Sequence, residues 1–454
     1  MKPTLSRRLA QFVHALRFED LPRPVVEKTK TLFLHGIGMG LAGYDTETAQ
    51  VAIDMAKNEA PGEATILIDG SKVIPTAAAY ANAALLHSRC EEDDYQDGLM
   101  HPGVVILPAA LATSEKEGVT GRNLITAIAA GYEVAARLSK DFARISVPRG
   151  FRSTPVYGPL GVAATVAKLL NLNEDKMVLS LGWAANLSSG LLQCAVSKTP
   201  EMPIQAGLAS RNGILAARLG QVGTSVAEDM LEGDRGFYFA FCGSAKDTEK
   251  ILVGLGKEYR MLDVFHKRFP VGGGMQSVVA CALALVQEHN LSSENIEKVE
   301  VRLPPQGARY PGVNSTEPGL ISAQYCIAVA SVHKKVNLRT VADMNNPQVR
   351  QIMPKITVLP DESISPPGCR ISMTLKNKQV FAKDMLVTYK DLSFNFDEES
   401  RHVESLIPEM AVPKDRVAKM IELIKDMESW TSVADLTRTL SNPGRKGERI
   451  KLPF

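Results

Sequence analysis

Two alanine-rich apolar runs, Ala77 to Leu86 and Val104 to Thr113, flank an acidic stretch: Glu91-Glu92-Asp93-Asp94-Tyr95-Gln96-Asp97-Gly98-Leu99-Met100-His101-Pro102-Gly103. Runs that are apolar on every face are predicted as helices buried inside a bundle, not laid on a surface. The acidic stretch is then a loop pinned at the edge of a packed core. It holds five carboxylates within seven positions, and His101 follows in a His-Pro-Gly turn. Acids and one imidazole gathered at a core edge can have their proton affinities tuned for proton transfer. A solvated acidic turn is the competing reading for a charge block.

The same texture extends over most of the chain. Residues 25–39, 46–57, 74–88, 121–141, 158–172, 174–193 and 206–219 are rich in Ala, Leu and other helix formers. Asn173 is placed to cap the helix that begins at Glu174. After Phe269-Pro270 the pattern changes. One helix is predicted over 276–289 and another over 323–333. Ile296 to Leu303 alternates as a strand does, and 371–375 with 380–387 reads as a hairpin around Lys376-Asn377-Lys378. Helices return over 399–406, 414–427 and 432–440. The predicted fold class is mainly α. A large helical domain is built from both chain ends, residues 1–265 and 395–454, and an α+β lid domain of residues 266–394 is inserted between them.

Composition removes several function classes. The chain has 454 residues, 45% hydrophobic and 22% charged, with a net charge of +2. That balance points to neither nucleic acid nor an anionic membrane. No apolar run reaches the roughly 20 residues that span a bilayer. Arg7, Arg8 and Arg17 could belong to an organelle-targeting segment, but Leu9, Phe12, Val13 and Leu16 fit an amphipathic first helix better. Six scattered cysteines with no Cys-x-x-Cys pair indicate free thiols in a reducing compartment, with the cytoplasm expected and the mitochondrial matrix as the alternative. No His/Cys spacing suits a metal. Gly272-Gly273-Gly274 lacks the Lys-Ser/Thr of a phosphate loop and reads as a linker turn.

The ordered landmarks resemble the MmgE/PrpD superfamily. Asp93-Asp94 with His101-Pro102 resembles its Asp-Asp-Thr…His-Pro element. Gly150-Phe151-Arg152-Ser153-Thr154 through Gly158 to Ala164 resembles its Gly-Phe-His-x-Thr element. Leu231-Glu232-Gly233 with Arg235-Gly236-Phe237, Lys267 with Pro270, and Ala323 to Ala330 follow in the expected order. The resemblance implies an all-helical domain with an α+β lid, a homodimer, and a cofactor-independent, metal-free cleft acting on a small carboxylate.

It also implies roles. His101 becomes the general acid/base, with Asp93 and Asp94 as its acidic partners. Glu91, Tyr95, Thr154 and Lys267 fall at substrate-facing positions. Three departures stand out. Arg152 replaces a histidine and can grip a carboxylate through two N–H groups, but it does not shuttle protons. Met202 and Gln205 replace a lysine and a histidine, with Lys198 as a substitute cation. Gln276 replaces a lid histidine. The expected activity is a dehydratase-like lyase that moves a proton beside a carboxyl group of a small acid less charged than cis-aconitate or 2-methylcitrate. An isomerase or epimerase comes next, then a decarboxylase. A degenerate binding protein is the non-enzyme alternative.

Overall fold

The computed structural model describes residues 2–310 and 312–454. Helix accounts for 58% of the chain, so the mainly α expectation holds. Helices Arg23–Gly43, Pro75–His87, Gly103–Glu117, Gly121–Lys140, Ser153–Leu169 and Met202–Val222 pack side by side around one hydrophobic core. Every residue of helix Pro75–His87 except Thr76 is buried, as its all-apolar pattern requires. Asn173 caps helix Glu174–Asn186 by accepting from the Lys176 amide at 3.0 Å. That helix stops seven residues short of the predicted end, and beyond it Gly190 adopts φ 123°, which a continuous helix through the predicted range could not contain.

Val403, Val417, Met420, Ile424, Leu436 and Leu440, from helices Phe396–Ser405, Lys414–Lys425 and Ala434–Leu440, join this first core. A second core is assembled from residues 271–375. Its sheet has the order Ile356–Pro360, Ile296–Leu303, Cys369–Leu375, Val380–Met385. The first two strands are parallel and the remaining pairs antiparallel. Cys369–Leu375 buries alternate residues, as a strand with one covered face must. Helix Gln276–Glu288 covers this face alongside helix Ala323–His333. Leu452 and Phe454 leave the helical end of the chain and pack into the second core. Strand Ile356–Pro360 escaped the sequence pattern because its burial does not alternate.

One small feature positions everything that follows. Asp93–Asp94 forms a two-residue antiparallel ladder with Phe265–His266, Asp93 opposite His266 and Asp94 opposite Phe265. The acidic loop is thereby stitched to the segment that enters the second core. Extended backbone sends successive side chains to opposite faces. Glu92, Asp94 and Lys267 point to one side, and Glu91, Asp93 and His266 to the other.

Candidate active site

The front of this ladder gathers His87, Glu92, Asp94, His101, Arg152 and Lys267. His87 ends helix Pro75–His87, and Arg152 is the N-cap residue of helix Ser153–Leu169. All but His101 are almost completely buried. Glu92 is the hub. It accepts from the Lys267 ammonium at 2.6 Å through Oε1 and lies 3.2 Å from His87 Nδ1 through Oε2. Burial pushes its carboxyl up, but Lys267, His87 and His101 together hold it well below the ordinary value. Glu92 is therefore an ionised counter-charge for Lys267, whose own value the surrounding acids raise against burial.

His101 has a defined tautomer. Its Nδ1 lies 3.0 Å from the Asp93 carbonyl, 3.5 Å from Glu92 Oε1 and 3.9 Å from Asp94 Oδ2. Every neighbour of Nδ1 is an acceptor, so Nδ1 carries the proton and Nε2 carries a lone pair. Burial and the Lys267 charge lower its pKa well below normal, so the ring stays neutral. Thr154 Oγ1 accepts from the His101 amide at 3.1 Å and fixes the turn. Thr154 thus holds the His101 backbone instead of facing a substrate.

Asp94 is the second group here with a strongly displaced proton affinity. Burial pushes it up to about 7, with Lys267 opposing and Glu92 reinforcing the shift. Its two oxygens accept from Gln96 Nε2, each at 3.0 Å. A Cβ on Gly273 would collide with this carboxylate, so the second residue of the glycine run must lack a side chain here. The run does more than turn the linker.

Arg152 donates to the His87 Nε2, to the Met202 carbonyl at 3.2 Å and to Gln205 Oε1 at 3.4 Å. Met202 contributes its main chain, not its side chain. Gln205, in the first turn of helix Met202–Val222, braces the guanidinium. Tyr310, on the loop after helix Pro305–Ala308, interacts electrostatically with Arg152 and Asp94.

Several expected site residues are elsewhere. The Asp93 carboxylate is turned to the back, where it accepts from Tyr132 at 2.8 Å and from the Gly103 amide at 3.1 Å. Only its carbonyl meets His101. Glu91 also points back and pairs with Arg89 at 2.6 Å. The alternation of extended backbone exchanges its expected role with that of Glu92. Tyr95 is buried toward the helical core, with a hydroxyl that has no partner among the described residues. Lys198 is exposed and donates to Ser315 at 3.0 Å. Gln276 caps the entry to the second core, accepting from the Arg268 amide at 2.8 Å and donating to the Phe269 carbonyl at 3.0 Å. It holds the segment carrying Lys267 in place and faces no substrate space. Glu92, His87, Gln96 and Tyr310 were not anticipated. The available signal for His87 was a polar end on an otherwise apolar helix, and for Glu92 its two-residue spacing from Asp94.

Among the described residues no group of three or more His, Cys, Asp or Glu is arranged to hold a metal ion. Among the described residues no helix is long and apolar enough to cross a membrane.

The MmgE/PrpD N-terminal domain model matches residues 7–250 and the C-terminal domain model residues 269–391. The chain belongs to the MmgE/PrpD family. Family relatives span nearly its whole length. Cis-aconitate decarboxylase of Mus musculus is 26% identical over 100% of this chain and 96% of its own. The Homo sapiens protein of that name is 26% identical over 98% of this chain and 96% of its own. That of Aspergillus terreus is 25% identical over 81% of this chain and 80% of its own. The junction between the two family models, residues 251–268, contains the strand Phe265–His266 and Lys267. The front of the ladder is therefore shared between the N-terminal family domain and the segment that leads into the C-terminal one.

Proposed function

We propose that this family member is a lyase acting on a small carboxylic acid by proton transfer beside the carboxyl group, without a cofactor. The observation that carries the reading is the pairing of a neutral His101, its Nε2 free to accept, with an Asp94 that burial holds near neutrality. A lone-pair base and a carboxyl that burial keeps protonatable, side by side in one site, suit proton removal at one atom and proton delivery at another. For dehydration of a 3-hydroxy acid, Nε2 takes the proton from the carbon next to the carboxyl. The released pair forms the double bond, and the hydroxyl leaves as water with the Asp94 proton. Lys267 and Glu92 keep the local charge balanced, and Arg152 steadies the carboxylate.

Decarboxylation is the second reading. It is favoured by relatives named cis-aconitate decarboxylase that match over nearly the full chain. The same groups suit it: loss of CO₂ leaves a carbanion that Asp94 protonates. If no group is lost, the pair acts as an isomerase. We also infer a helical body of residues 1–265 and 395–454 with a lid of residues 266–394, working as a homodimer in the cytoplasm.

Proton NMR of the protein in D₂O with hydroxy acids, 2-enoates, itaconate and cis-aconitate tests the reaction class. Loss of water or CO₂ that His101→Gln abolishes supports the lyase. Deuterium incorporation without loss moves the reading to an isomerase. Turnover that survives His101→Gln overturns the assignment of the base.

A further inference from the structure

Six lysines and arginines are buried: Lys28, Lys30, Arg89, Arg137, Arg152 and Lys267. Lys30 pairs with Glu27 and Glu428, Arg89 with Glu91, Arg137 with Glu133 and Lys267 with Glu92. Lys28 has only the Ser393 hydroxyl at 2.6 Å, but burial lowers it to about 8, and an ammonium can shed its proton. Arg152 has no such escape. Its guanidinium keeps its charge, it is only 6% exposed, and among the described residues no carboxylate lies within ion-pair distance of it. Its acceptors are neutral: a ring nitrogen, a carbonyl and an amide oxygen. They occupy three of its five N–H groups. A buried cation that cannot neutralise itself and has no counter-ion calls for an anion from outside.

The rest of the wall limits how many anions fit. Lys267 is taken by Glu92 at 2.6 Å. His87 presents Nε2 to Arg152 and Nδ1 to Glu92, so it is a neutral bridge. His101 presents Nδ1 to acceptors only. A second carboxylate on the ligand would meet the ionised Glu92 with Lys267 already engaged, and like charges at such range repel strongly.

We propose that the site takes a monocarboxylate, its one carboxylate held by Arg152 and its reacting end uncharged. This rests on the lyase reading only for what happens afterwards; the binding claim stands on the charge arrangement. It sets this chain apart from its relatives named for cis-aconitate, a tricarboxylate.

Calorimetric titration of the full chain tests it, with crotonate and 3-hydroxybutyrate set against itaconate and cis-aconitate. Arg152→Gln is compared with Arg152→Lys, which retains a positive charge if the glutamine variant folds poorly. The monocarboxylates are expected to bind more tightly than the di- and tricarboxylate by at least about tenfold. Arg152→Gln is expected to weaken them roughly 30-fold or more, the effect of removing one partner of a buried charge pair. Arg152→Lys should lie between. Tightest binding by cis-aconitate overturns the proposal. So does monocarboxylate binding that Arg152→Gln leaves unchanged, or absence of monocarboxylate binding where cis-aconitate binds. Monocarboxylate binding with no turnover sustains this inference and removes the lyase reading. Turnover of cis-aconitate with no monocarboxylate binding does the reverse.

Discussion

The two faces of the Asp93–Asp94 ladder carry similar residues and treat them differently. On the front, Glu92 and Asp94 meet Lys267, His87 and His101, and Arg152 is left without a counter-ion. On the back, Glu91 pairs with Arg89, and His402 Nε2 lies 3.2 Å from Glu91 Oε1. His35 places Nδ1 3.0 Å from Glu399 Oε1 and Nε2 2.8 Å from the Glu91 carbonyl. Burial lowers the His35 pKa, but Glu399, Asp93 and Glu91 together turn the net shift upward, and both ring nitrogens face acceptors, as suits a doubly protonated ring. Glu91 and Glu399 each have a basic partner within the chain, and these pairs brace the helices against the loop. The front keeps the His101 Nε2 lone pair, a carboxyl at Asp94 that burial holds near neutrality and a guanidinium without a carboxylate partner among the described residues. Reactive capacity resides where charge balance is left incomplete.

The largest expected effect separates the faces by activity. His101→Gln and Asp94→Asn should each lower turnover about 10²–10⁴-fold, the usual worth of a positioned acid or base. Circular dichroism should show an unchanged fold. If Glu91→Gln reduces turnover per folded molecule as much, the division between front and back is broken.

Next comes stability. Glu92→Gln strands a buried Lys267 and should cost about 3–5 kcal/mol in urea unfolding. Glu91→Gln should cost less, because Arg89 keeps Glu409 at 3.5 Å and the Ala42 carbonyl at 3.0 Å. Equal losses would mean that the back pair carries as much uncompensated charge as the front.

A pH series sharpens the contrast further. The Asp94 carboxyl is raised in the folded chain from 3.8 to about 7, so the native state holds a proton that the unfolded state has released. Its contribution to stability is present below pH 4 and is lost as pH rises from about 4 to 7. Asp94→Asn should flatten the unfolding free energy over that window and leave the variant more stable than the parent at pH 8. As a proton donor, Asp94 should also make kcat fall above about pH 7. A kcat that instead rises through pH 7 would assign Asp94 as the base. The smallest effect is expected at Tyr95. Its hydroxyl has no partner among the described residues, so Tyr95→Phe should change stability by under about 1 kcal/mol and leave turnover intact. A large loss of turnover would return Tyr95 to the site.

Much was legible from local pattern alone. Helix Gly121–Lys140 was expected over 121–141, helix Ala323–His333 at its observed bounds, and strand Ile296–Leu303 likewise. Periodicity and capping are short-range properties, and they act within the segment that displays them. The ordered motifs also led to the family. Which acid of the loop faces which way was not legible. Glu91 and Glu92 are chemically equivalent in sequence, and their roles are set by a two-residue ladder with Phe265–His266, more than 160 positions away. Sequence by itself determined most of the helices and three of the four strands of the larger sheet, because apolar periodicity and turn residues act locally. Only the tertiary structure decided that Glu92 joins Lys267, that Asp93 serves the back, and that Arg152 is left without a carboxylate, because charge pairing depends on distances through space that no spacing along the chain encodes.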